Sequence, residues 1–261
     1  MELADYQHRY DTLRIERDAQ GILTVTMHTR GGEALWGIAR NSLHRELGEA
    51  FADIARDEAN RVVILTATGA NFCVAMDQAA PPPETAMELL WDRIHREGTA
   101  LLDNLLRVPV PMIAAVNGPA HIHAEVPLLC DIVLAAQTAE FADLAHVPGG
   151  TVPGDGVQTV WPMLLGPNRG RYFLLTGQRI GAPEALALGL VGEVLPDPAA
   201  TLARAHEHAA RLAALPLPML RHTRGVLTGQ LRQRLAADLS HGLALEALAS
   251  LTPDPGRPAG A

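Results

Sequence analysis

Apolar positions in the first half of the chain fall into short runs separated by helix-spaced stripes. Residues 13–17 and 22–28 alternate apolar and polar side chains around a turn at 18–21, which predicts two strands. Asn41 or Ser42 can cap a helix whose Leu43, Leu47, Phe51 and Ile54 share one face. Continuous apolar runs at 62–65, 112–116 and 132–135 predict buried strands, with a long helix before the second marked by Met87, Leu90, Trp91, Ile94, Leu101 and Leu105. Strands alternating with helices predict an α/β fold with a largely parallel sheet. From Gly156 the pattern turns mostly helical, interrupted by one short strand near 191–194. The expected organisation is a core over 1–195, a helical region over 196–251 and a disordered tail at 252–261, where three prolines and two glycines cluster.

Composition narrows the chemistry. With 21 basic and 29 acidic residues the net charge is −8, which disfavours nucleic acid and anionic membranes as partners. No apolar run reaches a membrane-spanning length, and no basic start precedes an apolar stretch, so a cytoplasmic protein is expected. Cys73 and Cys130 are the only cysteines, too few for a zinc cluster. The basic residues are all arginine, and the absence of lysine removes Schiff-base chemistry and the P-loop lysine together. Of the three serines, Ser42, Ser240 and Ser250, none lies in a nucleophile elbow.

Four places carry candidate chemistry. His121 and His123 follow a buried strand, where functional groups concentrate in α/β sheets. Either is a satisfied loop histidine or a donor to a developing oxyanion; a metal site lacks a clear third ligand. His146 and Asp155 lie nine positions apart in a glycine- and proline-rich segment that can fold back as an oriented base pair, although Asp155 alone also reads as a turn or helix-capping residue. Glu246 falls on the apolar stripe of Leu235, Leu239 and Leu243, where a carboxylate needs a partner or sits at the stripe's margin. Trp36, beside Gly37, is either core or an indole donor to a ligand.

The segments RVVILTATG, NFC, PVPMIAAVNGPA, CDIVLAA, GTVPGDG, NRGRYFLLTGQ and ALALGLVGEVL, in that order, resemble the crotonase (enoyl-CoA hydratase/isomerase) superfamily over nearly the whole chain. Within it, GTVPGDG, NRGRYFLLTGQ and GLALEALA resemble cyclic β-diketone hydrolases of the 6-oxocamphor hydrolase kind. The resemblance implies a crotonase-like ββα spiral with two roughly perpendicular sheets, a C-terminal helical region, and trimers or paired trimers (hexamers). Crotonases carry a glycine run after the Asn-Gly of the third buried strand, and this chain has Asn117-Gly118-Pro119-Ala120-His121-Ile122-His123 instead. Glu125 matches one hydratase glutamate, and His146 replaces the other.

The β-diketone hydrolase resemblance implies retro-Claisen cleavage of a cyclic 1,3-diketone to a keto acid, with no cofactor and no metal. It assigns water activation to His146 and Asp155, support to Glu246, and donation to the enolate oxygen to His123 and Trp36. In this scheme His146 is the base, largely unprotonated near pH 7, and Asp155 fixes its tautomer. Gln78 and Pro81, Pro82 and Pro83 stand where the relatives place an apolar pocket wall. The rival readings are a coenzyme A-dependent hydratase, isomerase or ring-cleaving hydrolase, and a non-catalytic crotonase-fold binding module.

Overall fold

The computed structural model describes residues 1–80 and 86–252, so Pro81, Pro82, Pro83 and the tail beyond Thr252 lie outside it. In chain order the elements are β1 (Leu13–Arg17), β2 (Ile22–Met27), α1 (Leu43–Arg56), β3 (Val62–Ala67), α2 (Met87–Arg107) and β4 (Met112–Val116). There follow α3 (Glu125–Leu128), β5 (Ile132–Ala136), β6 (Glu140–Phe141), α4 (Val157–Leu165) and α5 (Pro167–Thr176). The chain continues through β7 (Ile180–Gly181), α6 (Ala182–Ala187), β8 (Glu193–Leu195), α7 (Pro198–Ala213) and α8 (Leu217–Leu251).

The main sheet runs β1-β2-β3-β4-β5-β8, antiparallel at β1–β2 and parallel elsewhere. β3 and β4 are buried at every position, because the sheet is covered on both faces. On one side Ala205, Ala209 and Ala213 of α7 pack against Val62, Ile64, Ile113 and Leu134. On the other, Leu47 and Phe51 of α1, Leu101 and Leu105 of α2, and Leu235, Leu239 and Leu243 of α8 join the larger core. The C-terminal helices therefore share the core with the strands. Buried Arg224 on α8 ties this arrangement together: its guanidinium donates to Asp131 and to the carbonyls of Leu105, Leu106 and Val108 at the end of α2. No described helix is long and apolar enough to cross a membrane.

A second layer is built from β6 paired with β7, extended by single bridges from Phe141 to Ala120, Ala120 to Cys73, and Trp36 to Met76. Its strands are two residues long, too short for an alternation signal. The segments bearing it leave the C-terminal ends of β2, β3, β4 and β5, so the loops that carry candidate chemistry converge on one edge of the parallel sheet.

Candidate active site

Trp36, His123, His146, Asp155 and Glu246 all reach one buried cluster, and Glu125 and Asp143 join them there. Trp36 is strapped in place by backbone bonds from its N–H to the Ala75 carbonyl (2.9 Å) and from the Asp77 N–H to its own carbonyl (2.6 Å). Its ring stacks on His123, with centroids 3.8 Å apart and planes inclined by 27°. His123 holds a backbone φ of 51°, a left-handed conformation that costs a non-glycine residue energy. That conformation turns its ring back into the cluster, where Nδ1 lies 2.8 Å from Glu125 Oε1 and 3.3 Å from Asp155 Oδ2. Among the described residues its Nε2 has no hydrogen-bond partner.

Asp155 is positioned by glycines on both sides. A Cβ on Gly154 would lie 2.3 Å from the Gly242 carbonyl, and one on Gly242 would lie 2.2 Å from the Gly154 carbonyl. This backbone-to-backbone approach seats the Asp155 turn directly on α8, one turn before Glu246. The helix-capping alternative for Asp155 fails, since Gly156 occupies the N-cap of α4 and its N–H is taken by Gln158 Oε1. Ser42 stands at the N-cap of α1, as the sequence predicts, but its hydroxyl turns to the carbonyls of Gly37 and Ala39 and makes no capping bond.

The expected arrangement of the histidine–aspartate pair needs correction. His146 Nδ1 is held at 2.7 Å by Asp143 Oδ1, three residues earlier, so Asp143 fixes the tautomer. Asp155 Oδ2 faces the other nitrogen, Nε2, at 3.2 Å. The imidazole thus lies between two carboxylates. Burial disfavours its charge, yet Asp155 and Asp143 outweigh burial and push the His146 pKa up to about 12. The two carboxylates therefore favour the protonated ring, against the expectation of a neutral base near pH 7. Burial likewise opposes the charge on Asp155, but His146 and then His123 hold its carboxyl well below the usual range. Asp155 Oδ1 is buried and has no described partner.

The remaining groups divide by charge. For His123, burial is again outweighed, here by Asp155 and Glu125, and its pKa rises. Glu125 is fully buried, and burial lifts its pKa while His123 opposes the lift. Burial and then the charge of Asp155 push Glu246 up to about 8, so it is a neutral acid at pH 7. One oxygen each of Glu125, Asp143 and Glu246 is buried without a described partner. Ligand-type atoms of His123, Glu125 and Asp155 lie within 4.8 Å of one another, but the 2.8 Å contact at His123 Nδ1 has the length of a hydrogen bond and accounts for this clustering without an ion.

The loop after β4 uses its backbone donors internally. The N–H groups of His121 and Ile122 both donate to the Cys73 carbonyl, and that of Ala120 donates to Glu140. Gln78, read as a pocket residue, is exposed. Asp143 escaped notice in the sequence although its spacing of three before His146 was a visible signal.

The profile of the enoyl-CoA hydratase/isomerase family matches residues 17–247. This chain belongs to that family, within the crotonase superfamily. It is 41% identical to a structure of a β-diketone hydrolase from the cyanobacterium Anabaena bound to (S)-3-oxocyclohexyl acetic acid, with a TM-score of 0.88 and coverage of 94% of this chain and 96% of that one. An enoyl-CoA hydratase/isomerase structure from Mycobacterium paratuberculosis is 26% identical, with a TM-score of 0.81 over 93% and 94% of the two chains. Among curated relatives, the (E)-benzylidenesuccinyl-CoA hydratase of Thauera aromatica is 35% identical over 161 residues, 60% of either protein. The chain spans about half the length of two other curated relatives it matches.

Proposed function

We propose that this protein is a hydrolase that cleaves the C–C bond of cyclic, including bicyclic, 1,3-diketones by a retro-Claisen reaction, giving a keto acid. The observation that carries the reading is the carboxylate–imidazole–carboxylate array Asp143–His146–Asp155, set beside a second imidazole, His123, whose Nε2 has no partner among the described residues. The likeness to a β-diketone hydrolase that binds a cyclic keto acid supports it. Water held at Asp155 Oδ1 adds to one carbonyl as the Asp155 carboxylate, held in place by His146, takes its proton. The C–C bond then breaks. Its electron pair moves onto the second carbonyl, which becomes an enolate whose oxygen is met by His123 Nε2–H. The indole N–H of Trp36, stacked on His123, is a second donor. The carbon end of the enolate takes a proton from the site, and a keto acid leaves. A 1,3-diketone carries its own electron sink in the second carbonyl, so neither cofactor nor metal is required.

The internal bonding of Ala120, His121 and Ile122 supports this reading over a thioester hydratase, because those N–H groups are not free to hold a thioester oxygen. The proposal extends to a small neutral diketone as substrate, a homotrimer or a hexamer of paired trimers, and a cytoplasmic location. Exposed Val226, Leu227 and Leu248 on α8 suit such assembly. The test is loss of diketone absorbance with dialysed, chelator-treated enzyme, alongside calorimetry with acetyl-CoA. Full turnover and no saturable acyl-CoA binding are expected. Micromolar acetyl-CoA affinity, or turnover that vanishes with chelator, would contradict the proposal.

Glu246 gives a separate expectation. As a neutral acid below about pH 8 it adds no negative charge beside Asp155, and above that pH its ionisation does. Glu246→Gln mimics the neutral form. The variant should work within a few-fold of the wild type at pH 7 and should lose the alkaline inflection near pH 8 in its kcat profile. An inactive Glu246→Gln enzyme at pH 7 would mean that the carboxylate itself is needed.

A further inference from the structure

Among the described residues, two that are not glycine hold a left-handed backbone, Arg30 and His123, each with φ of 51°. Strain of this kind persists only where the surroundings enforce it. For His123 the reason is the site itself, where its ring stacks on the Trp36 indole. Arg30 lies in the loop between β2 and Trp36, and no step of the reaction uses it. Its guanidinium reaches Asp77 and donates two parallel bonds, Nη1 to Oδ2 and Nη2 to Oδ1, each 2.8 Å long.

Both ends of this pair belong to the segments that fix Trp36. Thr29 closes the base of the Arg30 loop: its hydroxyl donates to the Leu35 carbonyl at 3.2 Å and accepts from the Leu35 N–H at 2.9 Å. The loop is therefore a closed unit that ends at Trp36. Asp77 carries the 2.6 Å bond from its own N–H to the Trp36 carbonyl. Its Cβ also lies over Gly37, where an added Cβ would stand 3.7 Å away. The Asp77 side chain is only 12% exposed, and the bonds from Arg30 hold its carboxyl below the usual range. Packing gives the strap less support here. A cavity of about 270 Å³ borders Arg30 and Asp77 and is lined by Leu35, the residue before Trp36. Beside such a void, bonds more than contacts set where the indole lies. An ion pair that only decorates the surface adds little to stability and would not offset a strained backbone.

Resting on the diketone-hydrolase reading, in which Trp36 donates to the enolate oxygen, we propose that Arg30 and Asp77 are positioning residues whose two-bonded pair locks the strap that keeps the Trp36 indole stacked on His123. Without the pair the strap keeps its backbone bonds but gains freedom toward the cavity, and the indole N–H loses its fixed direction. A donor directed at charge that develops in the transition state acts on kcat and leaves substrate binding alone. Both residues act through Trp36, and neither exchanges a proton with the substrate.

The test compares Arg30→Asn, Arg30→Lys and Asp77→Asn in the wild-type chain, and Arg30→Asn again in a Trp36→Phe background. Asparagine tolerates the left-handed backbone at position 30, so that variant removes the guanidinium without adding strain. Arg30→Asn and Asp77→Asn should each lose about tenfold in kcat, with KM and thermal melting close to the wild type. Arg30→Lys, which keeps the charge but not the planar fork, should fall between. In the Trp36→Phe background Arg30→Asn should cost no more than about twofold, because no indole is left to misplace. Tryptophan fluorescence, read without substrate, should rise in Arg30→Asn as the indole leaves the imidazole that quenches it, and should not change in the Trp36→Phe background. Unchanged kcat or unchanged fluorescence in Arg30→Asn would overturn the proposal. So would a tenfold loss that persists in Trp36→Phe, which is the mark of a merely structural pair. Wild-type enzyme that turns over no diketone would overturn the functional reading and the kinetic part of the proposal, while the fluorescence comparison would still decide whether the pair holds the indole.

Discussion

His146→Ala and Asp155→Asn should each lower kcat by at least about 10²-fold, and the double mutant should be little worse than the poorer single. The reason is the shared proton-handling unit. Asp155 Oδ2 lies 3.2 Å from His146 Nε2, and Asp155 Oδ1 is left without a described partner. Asparagine in its place keeps the shape but cannot accept the proton of water. Alanine at position 146 removes the cation that keeps Asp155 ionised and leaves Asp143, 2% exposed, with its Nδ1 partner gone. Thermal melting must therefore accompany the kinetics, because an unpaired buried carboxylate costs stability. The asparagine variant carries no such penalty and is the cleaner arm. Losses that multiply, or an active Asp155→Asn enzyme, would mean that the two residues do not act together.

His123→Ala is expected to cost about 10²-fold in kcat, the usual consequence of losing one oxyanion donor. Glu125 and Asp155 crowd its Nδ1 at 2.8 and 3.3 Å, which favours the protonated ring and leaves an Nε2–H for the proposed enolate. The left-handed backbone at His123 points the same way, since such strain persists where the surroundings enforce a required orientation. A merely structural loop histidine would predict no more than a few-fold change. Near-wild-type kcat in His123→Ala would remove the residue from the mechanism.

Much of this was legible in the sequence wherever one signal was strong and local. β3 and β4 stood out because they are buried on both faces and so read as unbroken apolar runs. Glu246 stood out because a carboxylate interrupts an apolar stripe, and it is 7% exposed. The short β6, β7 and α3 carry no periodicity and were missed. The strand expected near 191–194 falls at Glu193–Leu195, where every residue is only half-buried. What sequence spacing could not decide was which carboxylate meets which ring nitrogen. Asp143 and Asp155 are both near His146 in the chain, and only the turn seated on Gly242 places Asp155 at Nε2 and leaves Nδ1 to Asp143. The preference for a protonated ring follows from that choice, because carboxylates on both sides of an imidazole favour its charged form.

The most direct measurement of the central claim is incubation of a symmetric bicyclic 1,3-diketone with dialysed enzyme in oxygen-18 water, followed by chiral chromatography with mass detection. The account predicts a ring-opened keto acid, one enantiomer in excess, with a single heavy oxygen in its carboxyl group. Unchanged diketone, under conditions where the same preparation hydrates an enoyl-CoA, would contradict it.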